Sequence, residues 1–199
     1  MVSITRCCRR LRASLLLLLL SLCVGAPPGF AFGAADPSID VRSAEIALGS
    51  DGYDLDAVFQ IELGHTLEDA LAKGVALNFV TEFEMVYERW YLLNLWNRTV
   101  SGFDQRFRLT YNALTRQYRV AAGALAQNVD TLQEALAVMG HVRGRFVAAR
   151  DDLEAGTAYS AQIRMRLDTS RLPKPFQINA IGSRGWNLAS DWYRWTVKP

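Results

Sequence analysis

Three glutamates, Glu82, Glu84 and Glu88, are the residues whose spacing could support chemistry. In an extended strand they share one face, and paired carboxylates can act as the acid and base of a glycoside hydrolase. A solvated sheet face is the alternative, because Arg106 and Arg108 lie on the polar face of a nearby predicted strand. Cross-strand pairs of this kind contribute ~0.2–1 kcal/mol each. The sequence favours this second interpretation, since nothing in it indicates a perturbed carboxylate environment.

Metal binding and nucleophilic catalysis find little support. Beyond residue 35 the chain has two histidines, His65 and His141, and no cysteine, whereas a zinc site usually needs three or four such ligands. Asp151, Asp152 and Glu154 are the carboxylates that could bind an ion instead. No serine lies in a G-x-S-x-G turn, and no glycine pattern is typical of phosphate binding. We therefore expect no catalytic residue, no metal and no cofactor.

The segment from 172 to 195 combines prolines with large aromatic side chains. Pro173 and Pro175 cannot donate hydrogen bonds to a sheet, so we expect an extended stretch at a sheet edge. Aromatic side chains there could bind a peptide, a glycan or a lipid chain, or could fold back as a lid on the open end of a sandwich. The predicted partner-binding edge comprises Leu172, Pro173, Lys174, Pro175, Phe176, Gln177, Trp186, Trp192 and Trp195.

The first 35 residues are typical of a secretory signal peptide. Four arginines precede an apolar run from 13 to 24, which is shorter than the ~20 residues of a membrane span. Small residues at 33–35 predict cleavage before Asp36 and a periplasmic protein. Lipidation at Cys23 is disfavoured by the bulky Leu22 before it. If the segment is retained as an anchor, it is the only membrane contact that we expect.

Charge and cysteine content change when this segment is removed. It carries four of the 22 basic residues and none of the 20 acidic ones, so 18 basic and 20 acidic residues remain, a net charge of −2. A near-neutral chain without a basic run argues against nucleic acid as a partner. Cys7, Cys8 and Cys23 all lie before residue 36. The domain therefore has no disulfide, and its stability must come from an apolar core.

Alternation of apolar and polar residues predicts strands through most of residues 36–199. The clearest span 53–63, 75–87, 103–111 and 159–167, and weaker ones span 39–48, 118–126 and 145–149. Turn residues at 49–52 and 151–156 predict a tight and a longer hairpin connection. We expect a single mainly β domain, an antiparallel sandwich-like fold with two short helices.

An internal repeat is visible when the chain is shifted by 65 positions, which aligns 53–72 with 118–137 at seven identities. Each copy predicts a strand and then a short helix that starts with a capping box and closes at a glycine. These positions are Thr66, Asp69 and Gly74 in the first copy and Thr131, Glu134 and Gly140 in the second. The pattern predicts a duplicated strand-helix-strand unit.

Several segments carry a resemblance to a known family: Asp51-Gly52-Tyr53, Glu82-Phe83-Glu84, ALTRQYRV at 113–120, LPKPFQ at 172–177, and the closing Trp186, Trp192 and Trp195. With them the chain resembles the proteobacterial family of exported proteins called domain of unknown function 4390. The resemblance implies a Gram-negative envelope protein without an established activity, often encoded beside a nitrogen-regulation-type membrane sensor kinase. It implies no catalytic residues.

Three functions follow as hypotheses. The first is a non-enzymatic periplasmic binding or accessory module that works with an envelope protein, for which the inner-membrane sensor kinase is a candidate. The second is a periplasmic carrier of a lipid or sugar, which a continuous apolar cavity would favour. The third is an envelope hydrolase that uses Glu82 or Glu84, which paired carboxylates in a cleft would favour.

Overall fold

Two antiparallel sheets pack on either side of one hydrophobic core in the computed structural model, which describes residues 36–87 and 98–199. The strands are β1 (Ser38–Leu48), β2 (Tyr53–Glu62), β3 (Leu77–Tyr87), β4 (Arg98–Asn112), β5 (Gln117–Ala122), β6 (Leu125–Val129), β7 (His141–Ala148), β8 (Tyr159–Leu167) and β9 (Tyr193–Val197). The helices are α1 (His65–Ala72), α2 (Leu132–Gly140) and α3 (Lys174–Gly182). This confirms the mainly β class. The predicted signal peptide and Glu88 lie outside the described residues.

The three-stranded sheet has the order β1-β2-β7, and the six-stranded sheet has the order β6-β5-β4-β3-β8-β9. Because apolar and polar side chains alternate along the strands, one side of each strand faces the core. On β3, the fully buried Phe79, Phe83 and Met85 face inward, whereas Glu84 on the opposite face is exposed. We call the two sides of the six-stranded sheet its inner and outer faces.

Two predicted connections differ from the structure. The span 118–126 is two strands, because Gly123 turns the chain with a left-handed φ of 60° and brings Ala122 opposite Leu125. The turn at 151–156 is not part of a hairpin, since β7 and β8 belong to different sheets. The tight turn at 49–52 is confirmed, with the Gly49 N–H donating to the Gly52 carbonyl at 2.7 Å.

The helix ends agree with prediction at two of four places. Thr131 caps α2, since its hydroxyl accepts from the Glu134 N–H at 3.2 Å. Gly74, with φ 84°, closes α1 in the left-handed conformation. The predicted Thr66 cap is wrong, because α1 starts one residue earlier, after Gly64. Gly140 is the last residue of α2 rather than a left-handed cap.

Close packing explains Gly140 instead. A Cβ atom at this position would lie 2.5 Å from the Phe59 carbonyl oxygen on β2, which is closer than real Cβ contacts allow. Glycine therefore lets the end of α2 lie directly against the β2 backbone.

A strand-helix-strand order occurs in β2-α1-β3 and in β6-α2-β7, but the predicted alignment sets the single strand β2 against β5, the Gly123 turn and most of β6. The two copies occupy different positions. α1 contacts β4 and the turn at 184–186, whereas α2 contacts β2, β5, β6 and β7. Because the two helices have different neighbours, the structure does not support the predicted duplication. Among the residues that the structure describes, no helix combines the length and apolar character needed to cross a bilayer.

Candidate functional site

The predicted partner-binding edge divides into two structural parts. Its first part, residues 172–177, is not extended, because Lys174–Gly182 forms α3 with Pro175 in the first turn. The extended-edge prediction is wrong here for a physical reason. The first N–H groups of a helix have no intrahelical acceptor, so proline loses nothing there and its fixed φ suits the helix. The Phe176 N–H donates to the Pro173 carbonyl at 2.9 Å and begins the helix.

Residues 172–186 form a lid, a name we keep for this part. Leu172 and Trp186 are buried in the core at 3% and 5% exposure. The Phe176 ring is half-buried, with its centroid 5.6 Å from that of Trp186. The Gln177 amide donates to the carbonyls of Ser170 and Leu172 and ties the start of the helix to the preceding turn.

The outward side of the lid carries three side chains of the predicted edge and also Ile178, which is 73% exposed. Pro173, Lys174 and Pro175 are exposed. They carry no large aromatic group, whereas Leu172 and Trp186 contribute their surface to the core. The lid alternative thus describes this half of the segment.

Residues 188–197, which we call the C-terminal edge, extend the six-stranded sheet beside β8. Leu167 N–H donates to the Leu188 carbonyl at 2.8 Å, and Ser190 N–H donates to the Met165 carbonyl at 2.9 Å. From residue 193 onward the pairing continues as β9, the last strand of its sheet. An edge strand has backbone groups on one side that its own sheet does not pair.

Three aromatic side chains lie along this edge. Tyr193 and Trp195 lie opposite inward-facing residues of β8, and their ring centroids are 5.7 Å apart. Tyr193 is 38% exposed. Trp195 is half-buried, and its indole N–H is buried without a hydrogen-bond acceptor among the described residues. Trp192 is half-buried, with its ring centroid 4.3 Å from the Arg164 guanidinium carbon.

A groove of about 390 Å³ runs between the C-terminal edge and the start of β1. Residues 37–41 and 189–193 line it. Ile39 and Val41 on one wall and Trp192 and Tyr193 on the other give it apolar surface, while Asp40 adds a carboxylate. The groove places the aromatic rings where an incoming chain would meet both side chains and an open strand edge.

Glu82, the first candidate catalytic residue, is held in a double ion pair on the outer face. Its two carboxylate oxygens lie 2.5 Å from Arg164 Nε and 2.8 Å from Arg166 Nη2, and its side chain is 15% exposed. Burial by itself raises the pKa of Glu82, but hydrogen bonds and charge from both arginines outweigh it and hold the pKa below the ordinary value. Glu82 is therefore a fixed anion, which is poorly suited to deliver a proton.

The predicted partners of Glu82 are wrong. Register places Arg164 of β8 opposite Glu82, whereas β4 places Asp104 there and Arg106 opposite Val80. The cross-strand pairing therefore exists with the other neighbouring strand. Sequence alone cannot show which neighbour supplies the partner, because β3 has one on each side.

Glu84 belongs to a second polar row beside the first. Its carboxylate accepts from the Gln162 amide at 2.9 Å, and the Gln162 oxygen accepts from Arg194 Nε at 3.0 Å. The row connects β3 through β8 to β9. These contacts hold Arg194, on the polar side of the C-terminal edge, against the sheet that also contains Glu82.

The two histidines lie at helix ends and are exposed, as predicted. His65 Nδ1 is 3.3 Å from the Asp69 carboxylate, and His141 Nδ1 is 2.6 Å from the Ala137 carbonyl oxygen. Within 36–87 and 98–199, no group of three or more histidine and acidic side chains is arranged to hold a metal ion. Asp152 is one of the carboxylates that the sequence offered for an ion. Its carboxylate accepts a hydrogen bond from the Ala149 N–H at 3.0 Å.

The family assignment rests on nearly the whole length of the described chain. A family model described as Domain of unknown function (DUF4390) matches residues 36–196. The chain belongs to this family. No curated protein and no solved structure matches it. The match includes β1 to β8, the lid and most of β9, so both halves of the C-terminal segment lie within the family domain.

Sequence reasoning missed one surface of this family member. Arginines from four strands lie on the outer face of the six-stranded sheet: Arg106 and Arg108, Arg119, Arg164 and Arg166, and Arg194. We call this the arginine face. Its signal in the sequence was the R-x-R spacing at 106–108 and 164–166, which puts both arginines of a strand on one face. The arginine face does not appear as a run of basic residues in the sequence, because strand pairing brings its arginines together.

Proposed function

We propose that the protein is a non-enzymatic binding module of the bacterial envelope that captures a protein partner through its C-terminal edge. One observation carries the proposal: β9 is the last strand of the six-stranded sheet and carries Tyr193 and Trp195, and Trp192 just before it lines an open groove together with Tyr193. An extended segment of a partner can add to such an edge by backbone hydrogen bonds, while side-chain pockets select the sequence.

The aromatic rings would supply most of the interaction energy. Tryptophan and tyrosine are enriched among residues that dominate interface energies, because they bury a large area at low entropic cost. Trp192 is already oriented by Arg164, which Glu82 holds in turn. This support reduces the rotamer freedom that binding would otherwise remove.

We propose that the protein acts in the periplasm. The membrane sensor kinase implied by the family resemblance is the first candidate partner. The basic and apolar segments before residue 33 motivate the location. Mass spectrometry of the protein from the envelope should find Asp36 as its first residue. A retained N-terminus or an acyl group on Cys23 would place the module on the membrane instead.

The alternative functions receive less support from the described residues. A carrier needs an apolar cavity, but large side chains such as Phe79, Leu109 and Ile163 fill the space between the sheets. A hydrolase needs a free acid and base, but Glu82 is bound by two arginines and Glu84 by Gln162. Protein capture at the edge requires neither a cavity nor a titrating carboxylate.

Photocrosslinking in intact cells tests the proposal. A photoreactive amino acid replaces Thr196, an exposed residue of β9, and in a matched control it replaces Asn128, an exposed residue of β6 at the opposite edge of the same sheet. We expect a discrete protein adduct from position 196 that is absent from position 128. Combining Trp192→Ala with the probe at 196 should remove the adduct.

The adduct is then identified by mass spectrometry. Equal adducts from positions 196 and 128, or an adduct at 196 that persists with Trp192→Ala, would contradict capture by the C-terminal edge. Absence of any adduct at 196, with the protein folded and exported, would contradict it as well.

A further inference from the structure

The arginine face concentrates positive charge in a chain whose overall charge has the opposite sign. By strand register, the six arginines share the outer face with three carboxylates, Glu82, Glu84 and Asp104, which gives a net charge of +3. The chain beyond residue 35 has 18 basic and 20 acidic residues. The remainder of that chain therefore carries a net charge of −5, so positive charge is concentrated on this face.

Half of these arginines are free to meet a ligand. Arg106, Arg108 and Arg119 are exposed, and none has an ion pair or side-chain hydrogen bond to another described residue. Arg106 and Arg108 are two residues apart on β4, and Arg119 lies diagonally across from Arg108 on β5. At the ordinary spacings of a sheet, about 5 Å between strands and about 7 Å along one, the three guanidinium groups form one patch.

The burial of Val80 shows how the arginine side chains lie. Val80 points to the outer face yet is only 3% exposed, and it is not part of the main core cluster. Its register neighbours are Arg106 on β4 and Arg166 on β8. Arginine stems that lie along apolar surface and keep the charged group in water produce this burial. The guanidinium groups therefore stand at the outer surface of a broad sheet face.

We propose that the arginine face binds the anionic phospholipid surface of a membrane. The charge is complementary, and the guanidinium fork binds phosphate oxygens with two parallel hydrogen bonds. Shape favours a lipid surface over a single acidic peptide, because the arginines come from β4, β5, β8 and β9 and spread across the sheet rather than line a groove.

This surface would orient the module. With the arginine face toward the lipid, the C-terminal edge of the same sheet lies beside the membrane. The sequence predicted membrane contact only through the N-terminal segment, and this proposal adds contact by the folded domain itself.

Vesicle flotation tests the proposal with the protein as purified from the envelope. Vesicles of equal parts phosphatidylglycerol and phosphatidylcholine should bind it, and vesicles of phosphatidylcholine alone should not. The triple variant R106Q/R108Q/R119Q should bind the anionic vesicles about 100-fold more weakly, since each basic residue near an anionic leaflet strengthens binding about fivefold. Added salt should reduce binding of the unmodified protein steeply.

A matched variant, R42Q/R143Q/R145Q, removes the same charge from exposed positions on the three-stranded sheet. Its binding should fall no more than a fewfold. Equal losses in both triple variants would show that only the overall charge of the protein matters. Equal binding to both vesicle types would show that the net charge of the lipid surface does not matter; either result overturns the proposal.

Polyglutamate is the competitor that separates a lipid from an acidic protein partner. If it displaces the vesicles at equal charge concentration, the face recognises acidic polypeptide and the lipid proposal is wrong. Melting curves establish that both variants are folded, and single substitutions at Arg106, Arg108 and Arg119, each expected to weaken binding about fivefold, serve if the triple variant unfolds.

Discussion

The lid and the C-terminal edge are consecutive parts of one aromatic segment, yet Trp186 in the first and Trp192 in the second differ in their relation to solvent. Trp186 in the lid is buried at 5% exposure beside Phe176, whereas Trp192 is half-buried on Arg164 at a sheet border. Composition does not distinguish the two parts. The lid satisfies its backbone within a short helix and turns, while the edge satisfies one side of its backbone on β8 and leaves the other side for a partner.

The difference teaches how tryptophan can serve two purposes in one domain. A buried ring contributes to folding and is unavailable for binding. A ring supported from below by a fixed cation contributes less to folding and presents its area to a partner. Substitutions in the two parts should therefore separate stability from capture.

The largest effect is expected for Trp186→Ala. Removing a buried tryptophan leaves a cavity between the lid and α1, so we expect a loss of ~3–5 kcal/mol in the free energy of unfolding. Urea denaturation measures it, with an unchanged m value indicating that only stability has changed. The folded fraction should still give the adduct at position 196. A loss below about 1 kcal/mol would show that the lid is not part of the core.

An intermediate effect is expected for Glu82→Gln, which removes the carboxylate that fixes Arg164 below Trp192. We expect a loss of ~1–2 kcal/mol at neutral pH, between the values for exposed and buried ion pairs. The adduct at position 196 should weaken, because the cation beneath the ring loses its support. A stability loss without any change in adduct yield would separate Glu82 from the edge.

The same variant makes a prediction for acid. The folded-state pKa of Glu82 is held below the ordinary value of 4.5, so its contribution is complete above the unfolded pKa and is lost as the pH falls through the folded one. The stability difference between wild type and Glu82→Gln should therefore shrink below about pH 4.5. A difference that grows in acid would contradict the sign of the shift.

The smallest effect on stability is expected for Trp192→Ala. A cation–π contact at a partly exposed site contributes ~0.5–1 kcal/mol, so thermal unfolding should change only slightly. The adduct at position 196 should nevertheless disappear. Trp186→Ala should therefore lose the more stability of the two variants, and Trp192→Ala should lose the more partner capture. A loss of stability as large as that for Trp186→Ala would place Trp192 in the core and remove the contrast.

Strand content could be predicted from the sequence, because the pattern that reports it is local. The alternation at 53–63 and 159–167 reports directly which side chains a half-buried strand turns inward. Thr131 also predicted its own cap, since the acceptor and donor are three residues apart. Local patterns of this kind need no knowledge of which strands are neighbours.

The features that sequence did not predict depend on pairing between distant residues or on a choice between two local structures. Pro173 and Pro175 suit a sheet edge and a helix start equally, and packing of Trp186 accompanies the helix. Glu82 has arginines on two candidate strands, and register selects β8. The arginine face combines residues from 106 to 194, so a scan for basic runs does not detect it.

Backbone hydrogen exchange on the complex with the crosslinked partner tests strand addition at the C-terminal edge most directly. β9 and β6 are the two edges of the same sheet, so each serves as the reference for the other. Binding should slow exchange of the β9 amides that point away from β8 and leave the β6 amides unchanged. Unchanged exchange in β9 at saturating partner, or protection of β6 instead, would contradict capture through the C-terminal edge.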